Sequence, residues 1–335
     1  MPKGAPSQFS LYDSSKPLPS IYAKKAAKEL KEVPEQISAH LESFRRWINS
    51  MPHLSCPTDD NFLLAFLRHA KYNHLVAQRR LDNFCTFRTS PTEGFPEWFN
   101  NSSASRAAWN TWIDLKCWTF LGFTKEGTAT IMARCKEINL DKLPLSALHT
   151  AMQMWNDACL IDARVQIGGL CMIMDLSDLR REMLSKMFDA KISKLSTKYF
   201  QEGLPFRIKK LIYYNTPKMF EAMFKIYSEW LNEKIKSRIM VLNADMNPAF
   251  DAVPGLKEIV PEAFGGDCKL TFEEICEREA PTFKSLVEHA PHFEITVDES
   301  KRPKECRNLM GTYKDLSEDV MGKVGTYVKL NQDEI

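Results

Sequence analysis

The stretch that decides the fold is "LPFRIKKLIYYNTPKMFEAMFKIYSEWLNEKIKSRIMVLNA", residues 204–244. It opens with an apolar run, continues with a segment of helical periodicity and ends in a second short apolar run, "RIMVLNA". Strand, helix and strand in this order are typical of a βαβ unit with parallel strands and a right-handed crossover.

The same alternation occurs upstream of this stretch. "TATIMARCKEI" (128–138) and "GGLCMIMDLS" (168–177) have the composition of buried strands, and each is followed by a helical segment, at 143–166 and 179–201. Helices between successive strands predict a mostly parallel sheet. We therefore expect an α/β domain from about residue 125 onward.

The N-terminal part has a different pattern. Residues 1–20 contain four prolines and indicate a flexible lead-in, whereas 21–88 have helical periodicity throughout. Thr58 or Asp59 is the expected N-cap of "DDNFLLAFLRHAKY". The breakers in "SPTEGFPEWFNNSS" (90–103) end this helical region.

Composition excludes several classes of protein. The chain has 335 residues, 44% of them hydrophobic, and a formal net charge of only +2. No global charge favours nucleic acid or a membrane, so electrostatic recognition must come from local clusters. We find neither a signal peptide nor a run of the roughly 18–20 apolar residues that a transmembrane helix needs. Nine cysteines without a C-x-x-C pair favour reduced thiols in the cytosol.

Four cations are expected to meet at one edge of the sheet. Arg207 and Lys209 lie at the start of a strand, with the i, i+2 spacing that sends both side chains to one face. The helix that follows carries Lys234 and Arg238 to the start of the next strand. Parallel strands start at the same edge, which favours an anion-binding site there. The alternative is a set of solvated cations near a helix C-terminus.

The helix that starts near Pro217 has a one-sided aromatic face. This face consists of Phe220, Met223, Phe224, Tyr227, Trp230 and Leu231. Such a face is typical of a helix that covers a sheet. Met223, with Met219 on the flank of this face, and the four aromatic residues also suit a deformable surface over an apolar ligand.

Sequence signatures of catalysis are missing. We find no G-x-G-x-x-G after a strand, no G-x-x-x-x-G-K-[ST], no G-x-S-x-G and no H-E-x-x-H. Asp175 ends a strand but has no His or Cys partner at a recognisable spacing. We therefore expect no catalytic residues, no metal and no cofactor.

Several segments resemble the CRAL-TRIO lipid-transfer proteins in order and spacing over roughly residues 30–280. They are "DDNFLLAFLRHAKYNHLVAQRRL", "GGLCMIMDLSDL", the opening stretch and "VPEAFGG". The most similar branch is that of α-tocopherol transfer protein, cellular retinaldehyde-binding protein and the clavesins. The resemblance implies a helical N-terminal domain (21–100), an α/β lipid-binding domain (101–280) with a mostly parallel sheet, a hydrophobic cavity and a lid helix, and a C-terminal extension (281–335).

The resemblance also implies site residues. Those at the ligand are His149, Gln153, Asn156, Leu170, Met172, Met174, Phe188, Tyr199, Phe200, Leu204, Phe220, Met223, Phe224 and Tyr227. Those at a phosphoinositide head group are Arg79, Arg207, Lys209, Lys234 and Arg238. Ala70 stands where the branch often has an arginine, and Lys71 beside it is a candidate substitute.

These expectations describe a cytosolic, non-enzymatic, monomeric carrier. It would bind one tocopherol- or retinoid-like lipid and exchange it at phosphoinositide-containing membranes, endosomal or otherwise anionic. Carotenoids, sterols and phospholipids stay open as ligands. The alternative is a lipid-gated adaptor that recruits a protein partner, through residues 281–335 for example. Neither alternative involves nucleic acid.

Overall fold

A five-stranded mixed sheet lies at the centre of the protein. The computed structural model of the chain describes residues 9, 12–89, 95–99, 102–187, 189–289 and 293–304. The sheet strands are β2 (Trp118–Phe123), β3 (Ala129–Arg134), β4 (Leu170–Asp175), β5 (Ile208–Tyr214) and β6 (Ile239–Val241). Two short strands, β1 (Leu54–Ser55) and β7 (Thr296–Val297), form a separate antiparallel pair.

The strand order is β2-β3-β4-β5-β6, and β3 to β6 are parallel. The predicted mostly parallel sheet is therefore confirmed. The antiparallel edge strand β2 was not expected from the sequence.

The N-terminal part is helical, as predicted. It contains α1 (Ser20–Lys25), a π-helical turn (Ala26–Leu30), α2 (Ile37–Asn49), α3 (Asp60–His69) and α4 (His74–Thr89), followed by α5 (Ser103–Asp114). Asp59 is the N-cap of α3, because its carboxylate accepts a hydrogen bond from the Phe62 amide at 3.0 Å.

The helices of the α/β part are shorter than the sequence suggested. They are α6 (Leu145–Leu160), α7 (Ala163–Gly168), α8 (Arg181–Met187), α9 (Ala190–Lys198), a π-helical turn (Tyr199–Gly203), α10 (Lys218–Ser228), α11 (Glu233–Lys236), α12 (Asn247–Ala252) and α13 (Phe272–His289). Each of the three long helices expected at 143–166, 179–201 and 217–237 is divided in two.

Local capping explains these three divisions. Asp162, Asp189 and Asn232 each accept a hydrogen bond from a backbone amide two or three residues downstream. A short polar side chain used in this way starts a new helix. The expectation of single long helices was wrong because it followed apolar periodicity and gave these caps no weight.

The two faces of the sheet are packed differently. Cys171, Ile173 and Ile212 are almost completely buried against residues of α12 and α13. On the opposite face, Met172 and Met174 are only partly buried. Because strand side chains alternate between faces, one face of the sheet is closed, whereas the other is buried at Ile131 and Leu170 and partly open at Met172 and Met174.

One hydrophobic core joins the helical part to the α/β part. Phe44 and Phe66 of the helical part belong to the same buried cluster as Trp155 and Leu170. A buried ion pair reinforces this contact: Arg88 donates to both carboxylate oxygens of Asp157, each at 2.8 Å. The Arg88 guanidinium also lies over the ring of Phe99 at 4.1 Å.

The described end of the chain packs on the helical part. Strand β7 pairs with β1, and Arg302, 2% exposed, donates to Asp82 at 2.5 Å and to Thr86 at 2.9 Å. Helix α13 runs across the boundary expected at residue 280 without a break. The domain boundaries otherwise stay predictions.

We predict that Asp157→Leu lowers the free energy of unfolding by about 3–5 kcal/mol, because the Arg88 guanidinium is then buried without a counter-charge. Urea denaturation of the two proteins measures the difference. The matched control, Arg88→Met/Asp157→Leu, removes both charges and should recover most of the loss. A double variant as unstable as the single one would contradict the explanation that an unpaired Arg88 charge causes the loss of stability.

Candidate lipid cavity and basic cleft

An apolar cavity of about 260 Å³ lies between the open face of the sheet and α10. Its walls are Cys135, Met174, Leu176, Leu179, Leu184, Ser193, Tyr213, Phe220, Met223, Phe224 and Tyr227. The rings of Phe220 and Phe224 contact Tyr213 of β5 in tilted orientations, with centroids 5.0 and 5.6 Å from the Tyr213 centroid. Small-molecule pockets commonly measure about 300–1,000 Å³, so this cavity lies just below that range.

Five of the residues expected at the ligand line this cavity: Met174, Phe220, Met223, Phe224 and Tyr227. Of the others, Met172 lies on the same face of the sheet and is partly buried. Phe188 lies outside the described residues.

The remaining expected ligand residues lie elsewhere. Leu170, Tyr199 and Leu204 are buried in the core shared with the N-terminal helices. His149 stacks on Trp98 with centroids 4.1 Å apart, and burial lowers the pKa of its imidazole to about 4.

Three polar or aromatic residues complete this second group. Gln153 accepts a hydrogen bond from Asn156 at 3.2 Å. Phe200 lines a different, polar cleft. The structure thus divides the expected ligand residues into a group at the cavity and a group placed elsewhere.

Helix α10 is held weakly over the cavity. Of its eleven residues, Lys218–Ser228, only Phe220 is fully buried. Ile226, on its outer face, is 57% exposed. A helix with few buried contacts belongs to the least stable parts of a fold and opens at low cost in free energy. We refer to α10 as the lid.

The second feature is a cleft of about 220 Å³ at the starts of β5 and β6. We define the basic cleft by its seven basic side chains: His69, Lys71, Arg80, Arg207, Lys209, Lys234 and Arg238. The other lining residues are Phe200, Gln201, Phe206, Ile208, Asn232 and Ile235. The structure thus brings together the four cations that strand geometry placed at one edge.

The basic cleft accumulates positive charge that its own residues do not neutralise. Burial lowers the pKa of Lys234, and Arg238, Arg80 and Lys71 lower it further. Burial and the charge of Arg207 lower the pKa of Arg238 in the same way. Mutual repulsion of desolvated cations is unfavourable, and a bound anion relieves it.

Within the described chain, no ion pair includes Lys71, Lys234 or Arg238. Arg207 and Lys209 do have a partner. Glu29, in the π-helical turn of the N-terminal part, accepts from Arg207 Nη2 at 2.6 Å and from Lys209 Nζ at 3.1 Å. Burial of Glu29 favours the neutral acid, but these two hydrogen bonds outweigh it and lower the carboxyl pKa to about 2.

The structure places Arg79 outside the basic cleft. Arg79 is exposed, and its neighbour Arg80 lines the cleft, donating to the Leu204 and Gln201 carbonyls at 2.7 and 2.9 Å. Burial lowers the pKa of Arg80 to about 10. Lys71, next to Ala70, also lines the cleft, as does His69.

Sequence reasoning missed Arg80 and His69. The sequence held a clue to both residues. His69 ends α3, Lys71 follows it, and Arg80 lies in α4, so the short connection between these two helices brings the three side chains together.

Asp175 belongs to a buried polar network and has no catalytic geometry. Its carboxylate accepts from Ser177 at 2.6 Å and from Asn215 at 3.0 Å, and it lies 3.6 Å from Arg134. In the described part of the chain, no three His, Cys, Asp or Glu side chains are grouped to hold a metal. No described helix is long and apolar enough to cross a membrane.

Comparison with known proteins agrees with this architecture. Residues 114–266 match the CRAL/TRIO domain family, and residues 33–107 match the Pinta-like UBA domain family. The human protein "Alpha-tocopherol transfer protein-like" is 30% identical over 246 residues, covering 72% of this chain and 69% of that protein. Human "Clavesin-2" is 22% identical, covering 72% and 73%.

Among solved structures, "Crystal structure of Sfh5" is similar with a TM-score of 0.44 and 14% identity, over 64% of this chain and 74% of that one. The chain belongs to the CRAL/TRIO family, whose members are in general lipid-binding and transfer proteins. The resemblance seen in the sequence is confirmed, including the tocopherol-transfer and clavesin branch.

The Glu29 contacts predict an acid-dependent loss of stability. The pKa of this carboxyl is lowered on folding from an ordinary value of 4.5 to about 2. Its contribution is therefore complete above the unfolded pKa and is lost as the pH falls toward 2. Urea denaturation should show wild type more stable than Glu29→Gln at pH 7, with the difference shrinking between pH 4.5 and 2. A difference independent of pH would contradict the pairing.

Proposed function

We propose that the protein is a non-enzymatic carrier that encloses one hydrophobic lipid under the lid and exchanges it at phosphoinositide-containing membranes. The observation that carries this proposal is the partly accessible apolar face of the sheet, which α10 covers together with Leu184 of α8 and Ser193 of α9. An ordinary sheet-covering helix buries its whole apolar face. Here Met223 and Phe224 are only partly buried and line a cavity.

The cavity suits a lipid with one small polar group. Its wall is apolar except for the hydroxyls of Ser193, Tyr213 and Tyr227 and the Cys135 thiol. Burial of about 500 Å² of lipid at ~25 cal/mol/Å² provides roughly 12 kcal/mol before the costs of ordering. The name of the similar protein "Alpha-tocopherol transfer protein-like" supports a tocopherol-like ligand. A retinoid-like ligand is proposed from the sequence resemblance alone.

The basic cleft suits a phosphorylated head group. Arginine presents a planar pair of donors and lysine a compact charge, and the combination binds phosphate well. Lys234 and Arg238 are the best candidates for direct contact, because both lie in the cleft without an ion-pair partner among the described residues. We propose that the carrier is a cytosolic monomer that docks reversibly on anionic membranes such as endosomes.

One experiment separates the carrier from the adaptor. Purified protein is mixed with donor vesicles that contain a fluorescent tocopherol or retinoid analogue and with acceptor vesicles that contain a phosphoinositide. A carrier accelerates transfer of the analogue without any partner protein. Lipid binding without accelerated transfer would favour the adaptor.

The lid provides the next prediction. Phe220→Asp/Phe224→Asp places two charges in the apolar cavity and should abolish retention of the bound lipid while the sheet stays folded. The measurement is lipid content after gel filtration, with circular dichroism to verify folding. Ile226→Asp, on the exposed face of the same helix, is the matched control and should retain lipid. Equal retention by all three proteins would make α10 an ordinary sheet cover.

The basic cleft provides a further prediction. Lys234→Ala/Arg238→Ala should weaken binding to phosphoinositide vesicles by at least about a hundredfold, because each charge-assisted hydrogen bond contributes about 1.5–3 kcal/mol and each cation near an anionic leaflet about 1 kcal/mol. Lys257→Ala/Lys269→Ala removes two exposed lysines outside the cleft and is the control. Lipid uptake from detergent should be unchanged in both variants. Equal vesicle binding by wild type and the cleft variant would show that Lys234 and Arg238 do not bind the phosphoinositide head group.

A further inference from the structure

The carboxylate of Glu29 occupies the position in which a phosphate would meet Arg207 and Lys209. Its Oε2 atom lies 2.6 Å from Arg207 Nη2 and 3.1 Å from Lys209 Nζ. The other terminal nitrogen of Arg207 donates to the carbonyl of Ile167. An incoming anion therefore has to replace Glu29 before it can use these donors.

The backbone on both sides of Glu29 is fixed. On the N-terminal side Tyr22 packs against the glycines that precede β3 and β4. On the C-terminal side Leu30 is completely buried, and Glu32 accepts from Arg68 at 2.7 and 3.0 Å and from Tyr72 at 2.7 Å. The Glu29 side chain itself is 31% exposed. The carboxylate is thus able to swing toward solvent while its segment stays in place.

Glu29 divides the basic cleft into two halves of different charge. Arg207 and Lys209 share the single negative charge of the carboxylate, which Lys25 also approaches at 3.9 Å, whereas Lys71, Lys234 and Arg238 have no ion pair in the part of the chain that the structure describes. A single charge gains little by replacing an equal charge. A group with several phosphate charges gains more from Arg207 and Lys209 than the carboxylate loses.

We propose that Glu29 is an internal competitor of the ligand: it occupies Arg207 and Lys209 in the free protein and reserves them for polyphosphorylated groups. This inference rests on the proposed function of the basic cleft. If Glu29 only orients Arg207 and Lys209, its removal has the opposite effect on anion binding. Removal of a competitor strengthens binding, whereas removal of a positioning residue weakens it.

The test compares wild type, Glu29→Gln and Glu35→Gln. Glu35 is exposed and does not line the cleft, so its variant has the same change in net charge without the contact. Binding is measured to vesicles with a phosphatidylinositol bisphosphate, to phosphatidylserine vesicles of equal surface charge, and to soluble inositol hexakisphosphate. Thermal unfolding verifies that each variant is folded.

We expect Glu29→Gln to bind bisphosphate vesicles and the soluble probe at least about tenfold more tightly, because one charge-assisted contact no longer competes. Phosphatidylserine vesicles, which wild type binds weakly, should be bound measurably by Glu29→Gln. Glu35→Gln should behave as wild type.

The outcomes separate the two proposals. Unchanged or weaker binding of the bisphosphate by Glu29→Gln, with Lys234→Ala/Arg238→Ala still defective, overturns the competitor and leaves the proposed function intact. Tighter binding of the soluble probe alone, with no vesicle binding by any variant, supports the competitor and removes the membrane role. Absence of binding to every probe overturns both.

Discussion

Parallel pairing of β3 to β6 is the constraint on which the rest of the structure depends. It places the starts of β5 and β6 at one edge, where the basic cleft lies, and it sends each crossover helix back across a face of the sheet. The crossover from β5 to β6 serves both sites, because it forms the lid and then carries Lys234 and Arg238. Gln201 holds the break between α10 and α11 by hydrogen bonds to the Trp230 carbonyl and the Asn232 amide. Lid and cleft are thereby connected by a few residues of one chain segment.

The two faces of the sheet show how one fold serves stability and binding. The face against α12 and α13 is densely buried and accounts for much of the hydrophobic stabilisation. The other face keeps Met172 and Met174 partly accessible, and methionine adapts to ligands of irregular shape. The lid itself is held by the burial of Phe220 and by its ring contact with Tyr213.

Buried charge has two distinct uses in this protein. Arg88 is paired with Asp157, and Arg302 is paired with Asp82. These two ion pairs hold the N-terminal helices against α6 and against the chain segment that follows α13. The cations of the basic cleft are desolvated without enough counter-charge, which is unfavourable for folding alone. Glu29 relieves part of this repulsion in the free protein. Stability and the proposed anion binding therefore make opposite demands on the same few residues.

The sequence by itself determined the alternation of strands and helices, a helix cap at Thr58 or Asp59, the one-sided face of α10 and the approach of Arg207 and Lys209 to Lys234 and Arg238. These features follow from local periodicity and from the fixed geometry of parallel strands. Only the tertiary structure decided which of Arg79 and Arg80 lines the cleft and which expected ligand residues reach the cavity. It also decided that the Glu29 side chain pairs with Arg207, 178 residues away in the sequence. Such choices depend on how helices rotate and pack on one another. Rotation and packing are set by contacts between residues that are distant in sequence, and the periodicity of a single segment contains no information about such contacts.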